Sequence, residues 1–271
     1  MDRVADEFGF VVVYPKGQQA AEVLGHKLPG YTHNGGGCCS SACSDGPGRL
    51  DDVAFARALV GAMPVAINRS RVYSTGFSNG GFMSYRLGCE APDLVAAIAP
   101  VSAILANNPN FVMKSSQKFE CDRADGRNVP VLHIHGTKDQ LVTYAGNPFF
   151  QWGSVVNTVK DWATANHCNS SSSDHGGGSY VPTTTFQNRS KATNNSVLCQ
   201  NYCGGGSSNV TLCTVVGGTH AWPGGRCGGT FGPCTLTIPD YCTLHMAGEP
   251  LIHAADEIWR FFSTKTLQVK E

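Results

Sequence analysis

The sequence predicts an α/β fold built on a mostly parallel sheet with helices on both faces. Short apolar, β-branched runs alternate along the chain with segments whose apolar residues recur at helical spacing. That alternation is typical of βαβ units, in which a helix carries the chain to the next parallel strand. A length of 271 residues fits one domain over 1–271, although two small domains would also fit.

Each element follows from the local pattern, in chain order. Strands are predicted where apolar runs end in turn residues, at 8–17, 71–76, 94–105, 129–136 and 209–218. Helices are predicted where the period is helical, at 50–63, 79–90, 152–167 and 252–262. Asp51 and Asp52 suit the N-terminus of a helix, which explains them better than a catalytic carboxylate pair does. The stretches 168–209, with at most one short strand, and 223–245 are predicted to be loop insertions.

Charge and hydropathy exclude two classes of partner. Lys plus Arg and Asp plus Glu each number 20, so no basic field favours nucleic acid. The longest apolar stretch, Leu94 to Leu105, is too short to span a membrane. We therefore expect neither a nucleic-acid nor a membrane partner, and we expect a monomer that uses no cofactor and no metal.

Cysteine usage indicates the compartment. The chain has 12 cysteines, mostly in Gly/Ser-rich stretches, and this predicts disulfides formed in an oxidising environment. A zinc site at Cys39 and Cys43, or at Cys199 and Cys203, is the alternative, but no His completes a finger-like set. Five glycosylation sequons support a secreted glycoprotein; they begin at Asn68, Asn169, Asn188, Asn194 and Asn209. Because Met1 leads into an acidic helix and not an apolar signal segment, we expect the natural N-terminus to lie upstream.

The stretch "GFSNG" at 76–80 spells G-x-S-x-G between a predicted strand and a predicted helix. A nucleophile elbow needs that place, because the strained turn presents the serine hydroxyl at the carboxyl end of the sheet. The small residues Gly76, Gly80 and Gly81 are expected to let strand and helix approach closely. The motif alone would equally describe a structural Gly-Ser turn around Ser78.

Two further residues turn the motif into a candidate triad. Asp139 follows the strand at 129–136, and His220 follows the strand at 209–218 in a glycine-rich loop. Ser78, Asp139 and His220 therefore occur in the hydrolase order, each at the carboxyl end of a different strand. Chemistry gathers at that edge of open parallel sheets, so the three placements together predict a serine hydrolase.

The chain as a whole resembles the feruloyl esterase and polyhydroxybutyrate depolymerase group of secreted α/β-hydrolases. The resemblance rests on "FVVVYP", "GGGCCSSA", "LDDVAFARALV", "RVYSTGFSNGGFMSYRLGCE", "AAIAPVSA", "VPVLHIHGTKD", "GGTHAWPGG" and "IHAADEIWRFF". It covers nearly the whole chain, loosely in 168–209, and is specific for the group but not for one substrate. It implies a secreted carboxylic-ester hydrolase acting on feruloyl or other acyl esters of plant polysaccharide, with polyester depolymerisation as the alternative.

The resemblance also implies roles for particular residues. Ser78 would be the nucleophile, His220 the general base and then acid, and Asp139 the acid that orients the imidazole. The backbone N–H of Asn79 would be one oxyanion donor, and Trp222 a wall of the substrate site. A loop disulfide between the cysteines at positions 168 and 203 is implied by the same resemblance.

The chain departs from the family at its beginning. No His-Gly pair, which usually carries the second oxyanion donor, precedes Ser78. The segment 1–15 resembles the end of the family's first helix and its fourth strand, so we expect an N-terminally truncated fold in which the elbow strand has an open edge. A catalytically impaired, hydrolase-like binding protein is therefore the second hypothesis.

Several other features allow a functional reading but favour a structural one. His133 and His135 share a face of one strand, where a core role is more plausible than a metal site. The "HGGG" at 175–178 mimics a lipase oxyanion motif, but it follows nucleophile and acid, so we interpret it as linker. His245 and His253 are predicted to be surface residues, Cys89 is predicted to be structural, and the aromatic residues of 149–152 are predicted to be core rather than cleft.

Overall fold

The computed structural model describes residues 1–19, 22–23, 26–27, 30–36, 50–106, 121, 126–168, 183–189, 196–203, 209–225 and 252–267. The helices in these ranges are α1 (Asp2–Phe8), α2 (Asp52–Gly61), α3 (Asn79–Glu90), α4 (Val155–Ala165) and α5 (Ala254–Phe262). The first strands are short: β1 (Gln18–Gln19), β2 (Glu22–Val23), β3 (His26–Lys27) and β4 (Tyr31–Thr32). The main strands are β5 (Tyr73–Phe77), β6 (Ala97–Val101), β7 (Val131–Gly136), β8 (Thr183–Arg189), β9 (Ser196–Asn201) and β10 (Val210–Val216).

Six strands form the main sheet in the order β5-β6-β7-β10-β9-β8. The strands β5, β6, β7 and β10 run parallel, while β9 and β8 continue the sheet antiparallel. Alternate residues face opposite sides, as in β6, where Ile98 joins the core under α3 and α4 and its neighbours Ala97 and Ala99 join the core under α5. The predicted fold class, a mostly parallel sheet with helices on both faces, is confirmed.

Most helices lie where the sequence predicts them. Asp51 caps α2, because its Oδ1 accepts a hydrogen bond from Ala54 N at 2.8 Å, which confirms the helix-start reading of the aspartate pair. The bounds of α3 are those predicted from the sequence, even though two glycines open it. Ser154 caps α4 by accepting from Asn157 N at 3.1 Å.

The predicted strand at 8–17 is wrong. Phe8 ends α1, and residues 10–17 belong to no strand. Val11 and Tyr14 are 57% and 65% exposed, while Phe10 stacks on Trp259 of α5 at 4.1 Å between ring centroids. The run has strand propensity, but no neighbouring backbone pairs with it.

The stretch 168–209 contains more regular structure than predicted. Both β8 and β9 lie within it and extend the main sheet, so the expectation of at most one short strand is wrong. The two strands pair antiparallel, with an irregularity between Thr184 and Phe186. The proposed insertion at 223–245 lies mostly outside the described residues.

Three disulfides join described residues. They are Cys89–Cys121, Cys168–Cys203 and Cys199–Cys213. The pairing of Cys168 with Cys203, which the resemblance implies, is therefore confirmed. The structural role of Cys89 is confirmed as well. A zinc site at the cysteines of 199 and 203 is wrong, because each is bonded to a different cysteine. The alternative zinc pair, in the segment 37–49, lies outside the described residues.

The elbow strand lies at an edge of the sheet. Within the described ranges, β5 pairs only with β6, which confirms the predicted open edge. All five residues of β5 are half-buried, whereas all six of β7 are buried. None of the described helices is both long and apolar enough to cross a membrane.

Candidate active site

Ser78 occupies a strained turn between β5 and α3. Its φ of 52° and ψ of −117° lie outside the regions that L-residues ordinarily adopt. The turn is held by a hydrogen bond of 2.9 Å from Ser78 N to Val101 O at the end of β6. Although Ser78 stands at the N-cap of α3, its hydroxyl does not cap the helix. The side chain is therefore not committed to the helix that follows it.

Two of the three glycines around Ser78 are needed for close approach. A Cβ on Gly76 would collide with the backbone of Gly80, and a Cβ on Gly81 would lie 2.6 Å from the Cβ of Ala103. The expectation for Gly80 itself is wrong, since a Cβ there would meet nothing within 4 Å. Gly80 matters because its backbone crowds strand β5, not because its own side chain would clash.

Asp139 and His220 meet at the same edge of the sheet. Asp139 follows β7 and His220 follows β10, and these strands are parallel neighbours. His220 Nδ1 lies 2.8 Å from Asp139 Oδ2, and the side chains of both residues are almost fully buried. The imidazole of His220 also packs 4.7 Å from the ring of Phe77, the residue before Ser78. The structure thus brings the acid–base pair beside the elbow.

The carboxylate of Asp139 is held ionised by its hydrogen bonds. Its Oδ1 accepts from Leu141 N at 3.0 Å and Val142 N at 2.8 Å. Burial opposes ionisation, but hydrogen bonds from His135 and His220 outweigh it and lower the pKa of Asp139 from 3.8 to about 2. An ionised Asp139 requires a proton on His220 Nδ1, and the neutral imidazole then carries its lone pair on Nε2.

The first residue of α3 is fixed by a segment that sequence reasoning did not single out. Asn79 Oδ1 accepts from His33 N at 2.7 Å, and Asn79 Nδ2 donates to His33 O at 2.8 Å. The same segment is bound to α2, because Asp52 Oδ2 accepts from Asn34 N at 2.6 Å. Burial raises the pKa of Asp52, but hydrogen bonds from His33 and Asn34 N reverse the effect, so the net shift is downward. These contacts hold the backbone N–H of Asn79 in place.

The comparisons with known proteins agree with this geometry. Residues 54–152 match the phospholipase/carboxylesterase family of α/β-hydrolases. The chain is 31% identical to feruloyl esterase B of Piromyces equi over 74% of this chain and 33% of that protein. It is 30% identical to the putative esterase NocK of Nocardia uniformis subsp. tsuyamanensis, over 64% of this chain and 49% of that protein. The chain has an α/β-hydrolase-like fold.

Two further likenesses complete the comparison. The bifunctional acetylxylan esterase/xylanase XynS20E of Neocallimastix patriciarum is 27% identical over 62% of this chain and 19% of its own length. The acetyl xylan esterase from Aspergillus awamori aligns with 78% of this chain and 64% of its own at a TM-score of 0.39 and 14% identity. The chain spans about half or less of the length of the curated relatives it matches.

Trp222 follows His220 by two residues. It packs against the core under α5 and lines a hollow of about 260 Å³. Arg3 and Asp256, which form an ion pair, line the same hollow, as does His253. The role of Trp222 as a wall of the substrate site therefore stays a prediction. His253 is exposed at the start of α5, as predicted, whereas His245 and "HGGG" at 175–178 lie outside the described residues.

Three aromatic residues after Asp139 extend from the core to the surface. Trp152 packs 5.5 Å from Phe82 of α3, Phe150 stacks on Trp152 at 4.8 Å, and Phe149 meets Phe150 at 5.1 Å. Phe149 is 64% exposed, so the expectation that this group is core is wrong for its outer member. Beside Trp152 lies a hollow of about 100 Å³ lined by polar side chains; these are Gln151, Asn157, Thr158 and Asp161.

His133 and His135 are buried and hydrogen-bonded to each other at 3.0 Å. Tyr85 and Val142 bind the two ends of this pair. Among the residues that the structure describes, no three His, Cys, Asp or Glu side chains form a group that could hold a metal.

Proposed function

We propose that the chain is a serine carboxylic-ester hydrolase with Ser78, His220 and Asp139 as its triad. The observation that carries the proposal is the buried Asp139–His220 pair, 2.8 Å apart, beside the strained turn of Ser78. A structural Gly-Ser turn would not need an oriented imidazole next to it. The family match and the esterase relatives support the same reaction class.

The geometry supports the following reaction. His220 Nε2 takes the proton of Ser78 Oγ, and the oxygen attacks the ester carbonyl carbon to form a tetrahedral intermediate. Asp139 stabilises the imidazolium through Nδ1–H, and the N–H of Asn79 at the start of α3 donates to the oxyanion. His220 then gives its proton to the leaving alcohol. Water, deprotonated by His220, releases the acid from the acyl-enzyme and restores the hydroxyl of Ser78.

The proposed substrates are acyl esters, feruloyl or acetyl, carried by plant polysaccharide. The names of the relatives support this class, since two of them are a feruloyl esterase and an acetylxylan esterase/xylanase. The exposed ring of Phe149, which meets the ring of Phe150 edge-on, offers an apolar surface suited to a sugar or phenolic ring.

The proposed location is outside the cell, and the proposed state is a glycosylated monomer. Three disulfides between described cysteines support an oxidising compartment. Asn68 is an exposed sequon at a turn, whereas Asn209 is only half-exposed. Of these two described sequons, Asn68 is therefore the better candidate for glycosylation.

The test compares Ser78→Ala with the parent chain on p-nitrophenyl acetate, methyl ferulate and acetylated xylan. We expect Ser78→Ala to lower kcat by about 10⁶-fold, as loss of a serine nucleophile does elsewhere. Ser84→Ala is the matched control, because Ser84 lies in the same helix but its hydroxyl binds Ser74 Oγ and Gly80 O. Turnover that survives in Ser78→Ala would refute the mechanism. A folded parent chain without turnover would favour a binding protein instead.

A further inference from the structure

A line of buried polar side chains leads to Asp139. His133 and His135 are two apart on β7, so both face α3, where Tyr85 lies. These three residues are at most 1% exposed. The Tyr85 hydroxyl contacts His133 Nδ1, and His133 Nε2 lies 3.0 Å from His135 Nδ1. His135 Nε2 in turn lies 2.7 Å from Val142 O and 3.3 Å from Asp139 Oδ2.

Only one placement of protons on the neutral imidazoles satisfies every hydrogen bond among these side chains. Val142 O is a carbonyl and can only accept, so His135 Nε2 must carry a proton. In the neutral ring His135 Nδ1 is then an acceptor, and His133 Nε2 must donate to it. That leaves His133 Nδ1 as the acceptor of the Tyr85 hydroxyl proton. The three protons therefore run in one direction, from Tyr85 through His133 to His135, whose Nε2–H is donated to Val142 O and lies 3.3 Å from Asp139 Oδ2.

The surroundings of His133 and His135 are consistent with neutral imidazoles. Burial raises the pKa of Tyr85 well above 10.0 and, together with the neighbouring His135, lowers the pKa of His133 well below 6.5. Trp162 packs on Tyr85 at 5.2 Å, and Tyr144 meets the edge of His135 at 5.9 Å with its hydroxyl bonded to Thr214. Asp139 is thus the one anion among the described groups that contact Tyr85, His133 and His135.

We infer that Tyr85, His133 and His135 are positioning residues that fix the carboxylate of Asp139 against His220. The inference rests on the proposed function. Leu141 N and Val142 N hold Asp139 Oδ1, and His135 Nε2 approaches Oδ2, the oxygen that also meets His220 Nδ1. The carboxylate is therefore held on both oxygens before it meets His220 Nδ1. His135 also holds Val142 O, so one imidazole fixes both the carboxylate and the loop that carries it.

The experiment replaces His135, the donor nearest to Asp139, and Tyr85, the donor farthest from it. His135→Leu removes both ring nitrogens, and His135→Gln restores a side-chain N–H at similar reach. Tyr85→Phe keeps the ring and removes only the terminal hydroxyl. Tyr73→Phe is the matched control, since the hydroxyl of Tyr73 donates to Lys265 O at 2.6 Å, at the other end of β5. Three quantities are measured: kcat, KM and the downfield NMR resonance of the His220 Nδ1–H.

We expect His135→Leu to lower kcat by about 10- to 100-fold with KM nearly unchanged, because a displaced acid misaligns the base and not the bound substrate. The Nδ1–H resonance should shift or broaden in the same variant. His135→Gln should recover part of kcat, and Tyr85→Phe should show a smaller loss with a smaller shift. Tyr73→Phe should behave as the parent chain does.

The outcomes separate this inference from the proposed function. A folded His135→Leu with the kcat and resonance of the parent would overturn the inference while leaving the triad intact. If His135→Leu does not fold, Tyr85→Phe decides, and a parent-like resonance and kcat there would overturn it. If the parent chain hydrolyses no ester, the proposed function fails, and the resonance in the same variants still decides whether these residues position Asp139.

Discussion

Strand β7 and the segment 10–17 are both apolar, β-branched runs, yet they have opposite fates. All six residues of β7 are buried between β6 and β10. In the segment 10–17, Val11 and Val13 are 57% and 42% exposed, and no strand forms. The difference teaches that β-propensity becomes structure only where a neighbouring backbone accepts the ladder of hydrogen bonds.

The residues of the candidate site follow strands at both the centre and the edge of the sheet. Its acid and base follow β7 and β10 at the centre of the sheet, where neighbours on both sides fix the strand ends. Its nucleophile follows β5 at the edge, where one neighbour and the helix α3 hold the turn. The centre should therefore control how well the proposed acid and base are aligned, whereas the edge carries the proposed nucleophile.

Among substitutions at the centre, Asp139→Asn has the largest expected effect on kcat. We expect kcat to fall by about 10⁴-fold, because the amide N–H₂ can donate to His220 Nδ1 and so favour the wrong tautomer. Asp93→Asn is the matched control, since Asp93 forms an exposed ion pair with Arg57 at 2.6 Å and should leave kcat unchanged. Steady-state kinetics on methyl ferulate checks both. Equal rates for Asp139→Asn and the parent would contradict the central role of the acid.

The sequence could predict the central part of this molecule because its signals are local. The G-x-S-x-G turn, the aspartate after β7 and the histidine after β10 each stand at the end of a strong strand pattern. The order of those strands also brings them to one edge. The bounds of α3 and the Asp51 cap follow from short-range rules in the same way.

The parts that the sequence could not predict depend on long-range pairing. The segment 10–17 has strand propensity but no partner, whereas β9 has a modest pattern and forms because β10 pairs with it. The bond between His33 and Asn79 joins residues 46 apart, and no spacing rule announces it. His133 and His135 could be placed on one face, but their link to Tyr85 requires the packing of α3 on β7.

The second prediction compares a buried residue of β7 with an exposed residue of the segment 10–17. Ile134 of β7 is fully buried in the core under α5, so Ile134→Ala should lower the free energy of unfolding by about 2–5 kcal/mol. Val13→Ala should change it by no more than about 0.5 kcal/mol, since the side chain is already in water. Urea unfolding with unchanged m-values measures both. A Val13→Ala cost as large as that of Ile134→Ala would mean that the segment packs as a strand in solution.

The smallest expected effect is a loss of stability at low pH, and it again involves Asp139 at the centre of the sheet. The pKa of Asp139 in the folded chain is about 2, below its ordinary 3.8, so the ionised carboxylate stabilises the fold above pH 3.8. That contribution, about 2 kcal/mol, is lost as the pH falls through the folded pKa, because the unfolded chain takes up the proton first. Unfolding free energies of the parent chain and Asp139→Asn should therefore converge by about 2 kcal/mol between neutral pH and about pH 2. Parallel curves for the two chains would show that the hydrogen bonds to Asp139 do not lower its pKa, and that the centre of the site is held by packing alone.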